Sequence, residues 1–143
     1  MADTFTKAER SRIMAAVKSH STTPEMVVRR LVHGMGFRYR LHVRSLPGAP
    51  DLVLPRLRKV IFVSGCFWHM HTCGRCRIPT ARRKYWLAKL QRNAERDQRV
   101  QRALRRAGWG VLVVWECQTF AARREWLGRR IERFLGPLAD KTS

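Results

Sequence analysis

The sequence predicts a mixed α/β protein with a single domain, in which helices cover a central sheet. Its 143 residues suffice for one hydrophobic core and leave little room for a second. Apolar residues make up 45% of the chain, and the few Pro and Gly residues are scattered rather than gathered in a linker. A helical pattern is followed by several short strands, a long helix, a strand and a last helix, an order that favours a sheet covered by helices.

Two helical patterns occupy the N-terminal region. Residues 6–18 carry apolar side chains at helical spacing, and we assign them to an N-terminal arm over residues 1–20. The next helix opens with Thr23 as the predicted N-cap, Pro24 at the first helical position and Glu25 at the positive end of the dipole. It should end near Gly34 or Gly36.

Three strands are predicted next, at residues 37–43, 51–54 and 59–63, and they suggest a meander. The connection at residues 45–50 has turn chemistry that delivers Asp51 to the start of the second strand. Residues 64–79 hold Gly, Cys and His without a period, which indicates a site loop.

The C-terminal half begins with the longest helical pattern, at residues 80–107. Gly108 closes that helix, residues 110–115 form a buried strand, and residues 120–135 form a closing amphipathic helix. The main domain therefore spans residues 21–136, and residues 137–143 form a flexible tail.

The charge favours a nucleic-acid partner. Thirty Lys and Arg residues against ten Asp and Glu give a formal net charge of +20, which a polyanion would neutralise while releasing counterions. Membrane surfaces and acidic proteins are the alternatives, but no run approaches the roughly 20 apolar residues of a membrane span. The polar N-terminus does not resemble a secretory signal, so we expect the protein in the cytoplasm. We also expect that it is a monomer and that it associates with the nucleoid.

The long helix concentrates this charge. Residues 82–106 contain ten cations, among them Arg82 and Arg83, against only Glu95 and Asp97. A solvated charged face is the simpler interpretation, but charges of nearly uniform sign repel one another at i to i+4 spacing. Contact with DNA phosphates is the interpretation we favour.

Cysteine and histidine residues cluster in the loop. Four of five candidates could bind Zn(II) tetrahedrally, and spacing alone does not choose among them. The candidates are Cys66, His71, Cys73, Cys76 and the distant Cys117. Buried thiols without metal are one alternative, and a hydrolytic zinc with an open coordination position is another.

Several neighbours of this cluster have open roles. His69 is either a proton acceptor near neutral pH, a fifth ligand candidate or a spectator. Phe67, Trp68 and Trp86 either belong to the core or stack on DNA bases.

Two carboxylates stand out because the chain has few. Asp51 opens a strand after a Gly-Pro turn, a position that can present a carboxylate to a divalent ion bridging a phosphate. Glu25 is a second metal ligand, a base acting through water, or an ordinary acid at a helix N-terminus.

These residues resemble the very short patch repair (Vsr) endonuclease family, over about residues 3–117. The motifs that carry the resemblance are Lys7-Ala8, Arg10-Ser11, Leu46-Pro47-Gly48, Pro50-Asp51, Val63-Ser64-Gly65-Cys66-Phe67-Trp68-His69 with His71 and Cys73, Tyr85-Trp86, Asn93-Ala94-Glu95-Arg96-Asp97, Gly108-Trp109 and Val114-Trp115-Glu116-Cys117. The resemblance implies a restriction-endonuclease-like fold of the PD-(D/E)xK type with a structural zinc site. It also implies magnesium-dependent nicking of double-stranded DNA 5′ to the thymine of a T:G mismatch.

The resemblance also implies residue roles. Asp51 would bind catalytic Mg²⁺, His69 would be the general base, and Glu25 would support the water network. The implied Zn²⁺ ligands are Cys66, His71, Cys73 and Cys117, which leaves Cys76 as an extra. The implied DNA contacts are the wedge residues Phe67, Trp68 and Trp86, the arm residue Met14, and Lys89 and Asn93 beside the mismatch. Mismatch-repair proteins are implied partners.

One departure affects the active site. Members of that family carry Thr and then His before the Gly-Cys-Phe-Trp-His run, whereas this chain has Val63 and Ser64. The implied magnesium contact at position 63 is a backbone carbonyl, which Val63 retains, but Ser64 cannot replace an imidazole. The alternatives are therefore a relaxed-specificity or double-strand endonuclease on the same fold, and a non-catalytic zinc-containing DNA-binding module.

Overall fold

A computed structural model describes residues 23–66 and 78–137 of the chain. The predicted arm, and the predicted tail apart from Pro137, lie outside these ranges. So do seven residues singled out from the sequence, which are Met14, Phe67, Trp68, His69, His71, Cys73 and Cys76.

Four strands form one sheet in the order β1-β2-β3-β4. Their bounds are β1 Arg40–Leu41, β2 Leu52–Leu54, β3 Lys59–Ser64 and β4 Gly110–Trp115. The first three pair antiparallel, so the predicted meander is confirmed, and β4 pairs parallel to β3. A parallel pair requires a crossover connection, which the long helix supplies.

Three helices cover the two faces of this sheet. They are α1 Thr23–Gly34, α2 Arg83–Arg106 and α3 Arg124–Leu135. The alternation of side chains along each strand divides the core between the faces. Apolar residues of α1 and α3 pack with Leu52, Ile61 and Val114 on one face, and Leu104 of α2 packs with Val53 and Val60 on the other. The predicted mixed α/β domain with helices flanking a mixed sheet is confirmed.

Two helices end at glycines with positive φ, as predicted. After α2, Gly108 has φ +91°, its N–H donates to the Arg105 carbonyl at 3.0 Å, and the Trp109 N–H donates to the Leu104 carbonyl at 3.0 Å. This pair of bonds is a Schellman motif, which requires a residue that tolerates positive φ. Gly36 closes α1 in the same way.

Several element boundaries differ from the prediction, and three of the differences have a visible backbone cause. The strand predicted over residues 37–43 is reduced to β1, and it ends at Leu41 because His42 adopts a left-handed conformation with φ 49°. Similarly, α2 begins after Arg82, whose φ is 57°. Two 3-10 turns, Glu116–Thr119 and Ala121–Arg123, precede α3, so this helix begins later than predicted. Thr23 already belongs to α1, so it is not the N-cap.

None of the helices in the described part of the chain is long and apolar enough to cross a membrane.

Candidate active site

The predicted turn brings Asp51 to the far end of β3. Gly48 adopts φ +74° within this turn, and the Ala49 N–H donates to the Leu46 carbonyl at 3.1 Å. Because β2 and β3 run antiparallel, the residue before β2 lies beside the end of β3. The Val63 backbone N–H accordingly donates to Asp51 Oδ2 at 2.6 Å. This bond fixes one carboxylate oxygen of Asp51.

Glu25 lies in the first turn of α1 and is only 2% exposed. Its Oε2 atom forms an ion pair with Arg29, one helical turn further on, and lies 3.1 Å from His42 Nε2. A buried carboxylate needs such partners, because desolvating an unpaired charge is costly. Glu25 therefore does more than interact with the helix dipole.

His42 joins the two carboxylates and was not singled out from the sequence. Its Nε2 faces Glu25, while its Nδ1 lies 3.8 Å from Asp51 Oδ1. Its backbone N–H also donates to the Asp51 carbonyl at 3.3 Å. A sequence signal did exist, because pairing the first two predicted strands across their turn places position 42 opposite position 51.

The donor set of this cluster fits a divalent metal ion. One ligand atom from each of Glu25, His42 and Asp51 lies within 4.8 Å of the others. Carboxylate oxygens suit Mg²⁺ and Mn²⁺, and an imidazole nitrogen is a ligand for the borderline divalent metals.

The two positions that depart from the family pattern lie at this site. Val63 and Ser64 are the last residues of β3, and both are half-buried. Val63 contacts Asp51 through its N–H, and the role predicted for its carbonyl stays a prediction.

Two of the four predicted zinc ligands lie at one edge of the sheet. Ser64 and Trp115 are paired in the parallel strands β3 and β4, and Cys66 and Cys117 each follow two residues later. Cys66 is fully buried and Cys117 is half-buried. The topology thus brings a loop cysteine and the distant cysteine to the same end of the sheet, as a shared site requires.

The predicted DNA contacts of α2 differ in exposure. Arg82 and Arg83 are exposed, whereas Lys89 and Asn93 are less so. Trp86 is only 9% exposed, so its ring packs within the protein. Of the two interpretations of this residue, burial favours a place in the core over stacking on DNA bases.

An exposed aromatic residue adjoins it. Tyr85 is 44% exposed and contacts Trp86 edge to face, with the ring centroids 5.3 Å apart. The Arg82 guanidinium lies 4.6 Å from the Tyr85 centroid and Lys89 Nζ lies 6.0 Å from it. Tyr85 is a surface feature that the sequence reasoning did not assign to DNA.

A carboxylate site at the end of a sheet, beside a strongly basic helix, is typical of a nuclease that acts on DNA. The family of the DNA mismatch endonuclease Vsr matches residues 2–75. The chain belongs to this family, and is therefore an endonuclease, as the resemblance predicted.

Similar proteins span most of the chain. It is 47% identical over 118 residues to the type II nicking enzyme V.XorIIP of Xanthomonas oryzae, which covers 82% of this chain and 87% of that one. It is 41% identical over 138 residues to the DNA mismatch endonuclease Vsr of Escherichia coli, with 94% and 88% covered. It is 40% identical over 133 residues to the type II nicking enzyme V.NmeAIP of Neisseria meningitidis, with 92% and 95% covered.

Proposed function

We propose that this endonuclease nicks one strand of duplex DNA 5′ to the thymine of a T:G mismatch, by magnesium-dependent hydrolysis on a restriction-endonuclease-like fold. The observation that carries the chemistry is the Asp51 carboxylate, held by the Val63 N–H and facing the Glu25–His42 pair. The names of the relatives, which are nicking enzymes and a mismatch endonuclease, support the choice of substrate.

Each active-site residue has a separate proposed role in hydrolysis. Asp51 and the Val63 carbonyl would hold the ion, which would supply Lewis-acid polarisation of the scissile phosphate and of the attacking water. His69 accepts the proton of that water, and Glu25, fixed by Arg29, supports the water network. The Ser64 hydroxyl donates to the phosphate or to a water molecule, at the position where the resemblance implies an imidazole.

DNA recognition is proposed for surfaces on either side of this site. Phe67 and Trp68 form the wedge that opens the mismatch, with Lys89 and Asn93 beside it, whereas the buried Trp86, first grouped with them, belongs to the core. Met14 contacts the minor groove, and Arg82 and Arg83 contact phosphates. Mismatch-repair proteins are the proposed partners, and the nucleoid in the cytoplasm is the proposed place of action.

The zinc site is proposed from Cys66, His71, Cys73 and Cys117, with a structural role. Convergence of Cys66 and Cys117 at one sheet edge supports it. Metal analysis of the purified protein should find about one zinc per chain, and Cys117→Ser should lose the metal together with stability. If Cys117→Ser keeps its zinc, this ligand set is wrong.

The mismatch claim is tested with strand-labelled duplexes that differ at one base pair. A T:G duplex should be nicked in Mg²⁺ on the T strand only, whereas matched T:A and C:G duplexes of the same sequence stay intact. Asp51→Asn, which keeps the shape of the side chain, should abolish the nick. Equal cleavage of matched and mismatched duplexes would remove mismatch specificity from the proposal.

A relaxed or double-strand endonuclease is the second candidate, and Ser64 favours it because a hydroxyl cannot act as the missing imidazole does. Linearisation of matched plasmid by the native protein, but not by Asp51→Asn, would favour this candidate. DNA binding without any cleavage in Mg²⁺ or Mn²⁺ would instead leave a non-catalytic DNA-binding module.

A further inference from the structure

We propose that His42 is a nitrogen ligand of the active-site metal, and that Glu25 is the carboxylate that orients its ring. The inference rests on the metal dependence proposed above, but it concerns this site alone. It assigns Glu25 to the support of a ligand rather than to direct contact with the ion.

The Glu25 contact determines which ring nitrogen carries hydrogen. An ionised carboxylate only accepts hydrogen bonds, so His42 Nε2, 3.1 Å from Glu25 Oε2, is the protonated nitrogen. Arg29 also donates to this carboxylate. Its Nη2 atom lies 3.4 Å from Nε2 and could donate only to an unprotonated nitrogen there, so the shorter contact with Glu25 decides the tautomer. In the neutral ring, the lone pair is then on Nδ1, the nitrogen that faces Asp51.

The separation between Nδ1 and Asp51 Oδ1 suits a shared ion. At 3.8 Å it is too long for a hydrogen bond, and both atoms are acceptors. Two ligands that each lie about 2.1 Å from an octahedral ion are about 3.0 Å apart when adjacent and about 4.2 Å apart when opposite. The observed 3.8 Å lies between these values, so a shift of less than about 1 Å would bring both atoms onto one ion. Because Oδ2 accepts from the Val63 N–H, Oδ1 is the carboxylate oxygen on the His42 side.

The resulting order of groups is carboxylate, imidazole, metal. Histidines that bind metals commonly donate their other ring N–H to a carboxylate, which fixes the tautomer and increases the basicity of the ligand. Glu25 supplies that carboxylate from a buried position, and Arg29 holds it there.

The backbone holds the two ligands in register. His42 directly follows β1 with φ 49°, a conformation that histidine adopts more readily than most residues. Its N–H bond to the Asp51 carbonyl ties the two residues directly. A nitrogen donor in this site should shift its preference from Mg²⁺ toward Mn²⁺ and Co²⁺, compared with a site that has only oxygen ligands.

The test uses Mn²⁺ binding to the zinc-loaded full-length protein without DNA. Titration followed by electron paramagnetic resonance gives the Kd, and pulsed measurements detect ¹⁴N coupling to the ion. The main variant is His42→Asn, because asparagine also tolerates positive φ, and His42→Gln is a second variant. His33→Gln is the matched control, since His33 is an exposed histidine on α1.

We expect both His42 variants to weaken Mn²⁺ binding at least about tenfold and to lose ¹⁴N coupling, while His33→Gln changes neither. A parallel His69→Gln variant identifies any coupling that comes from His69. If a folded His42 variant, judged by circular dichroism, keeps its ¹⁴N coupling or binds Mn²⁺ within about twofold of the native protein, His42 only bridges two carboxylates and the inference is wrong.

Asp51→Asn separates this inference from the proposed function. If Asp51→Asn binds Mn²⁺ as the native protein does, the proposed metal site itself is wrong. If it loses binding while the His42 variants keep theirs, only the assignment of His42 fails. Neither readout depends on whether the enzyme distinguishes mismatched DNA.

Discussion

Glu25 is buried although it lies in the first turn of α1. Acids in the first turn of a helix are usually exposed and gain little from the dipole. Here the carboxylate is 2% exposed and depends on Arg29 and His42 for compensation. Removing one partner should leave a buried charge partly uncompensated, which is more costly than losing a surface ion pair.

Arg29→Met should therefore lower the free energy of unfolding by about 3 kcal/mol. Urea denaturation measures the change. Arg30→Met is the control, since Arg30 is the exposed neighbour on α1, and it should stay within about 0.5 kcal/mol of the native protein. Equal effects of the two substitutions would show that the Arg29–Glu25 pair contributes nothing beyond a surface charge.

At the scale of elements, the turn between β1 and β2 has a glycine that the packing requires. A Cβ atom on Gly48 would lie 2.5 Å from Val100 Cγ1 on α2 and 3.3 Å from the Phe62 ring on β3, and its φ is +74°. The turn that positions Asp51 is thus packed against both the sheet and α2.

Gly48→Ala should lower the free energy of unfolding by about 2 kcal/mol, from overpacking together with left-handed strain. Chemical denaturation again gives the value. Gly34→Ala is the matched control, because Gly34 is helical and a Cβ atom there would meet no neighbouring atom of the described residues within 4 Å. This control should be neutral or slightly stabilising. A neutral Gly48→Ala would mean that the turn relaxes freely.

Arg130 attaches α3 to β4. Its guanidinium donates to the Val113 carbonyl at 3.0 Å and to Gln118 Oε1 at 3.2 Å, and it lies 5.7 Å from the Trp126 ring centroid. Burial lowers the pKa of Arg130 from its ordinary value. The group still carries its charge at neutral pH, because that ordinary value is far above 7.

Arg130→Ala should cost about 2 kcal/mol of stability, because two hydrogen bonds from a charged donor are lost. The adjacent Arg129 forms an ion pair with the exposed Glu125, at 3.7 Å. Arg129→Ala should accordingly change stability by less than about 0.5 kcal/mol. Thermal denaturation of the two variants decides, and similar melting temperatures would contradict the role given to Arg130.

The elements also show where sequence reasoning succeeds and where it stops. The positions of glycines predicted the ends of α1 and α2, because the Schellman motif needs a residue with positive φ just after the helix. The length of β1 was wrong, since the left-handed backbone of His42 leaves no compositional signal. The contact of His42 with Glu25 spans seventeen positions, and only a correct pairing of elements makes it visible.

At the scale of the whole molecule, the net charge of +20 is unevenly distributed around α2. Along α2, residues spaced three or four apart form a stripe on one flank, because such residues share a helix side. The stripe consists of Tyr85, Lys89, Arg92, Arg96 and Arg99, and after Ala103 it continues at Arg106. It extends about 30 Å at 1.5 Å per residue, long enough to follow a DNA backbone. A neighbouring row, rotated by about 100° around the helix, also carries Lys84, Arg102 and Arg105, but Glu95 and two glutamines interrupt it.

This asymmetry predicts a difference in the salt dependence of DNA binding. Replacing Arg92, Arg96 and Arg99 with Gln should reduce the slope of log K against log salt by about 2 to 3, since each phosphate contact contributes about 0.9. Replacing Lys84, Arg102 and Arg105 with Gln removes the same charge from the neighbouring row and should change the slope by less than about one. Fluorescence anisotropy on one duplex across a range of salt concentrations measures both slopes. If the two triple variants behave alike, net charge rather than the stripe governs binding, and α2 does not follow the DNA backbone along this flank.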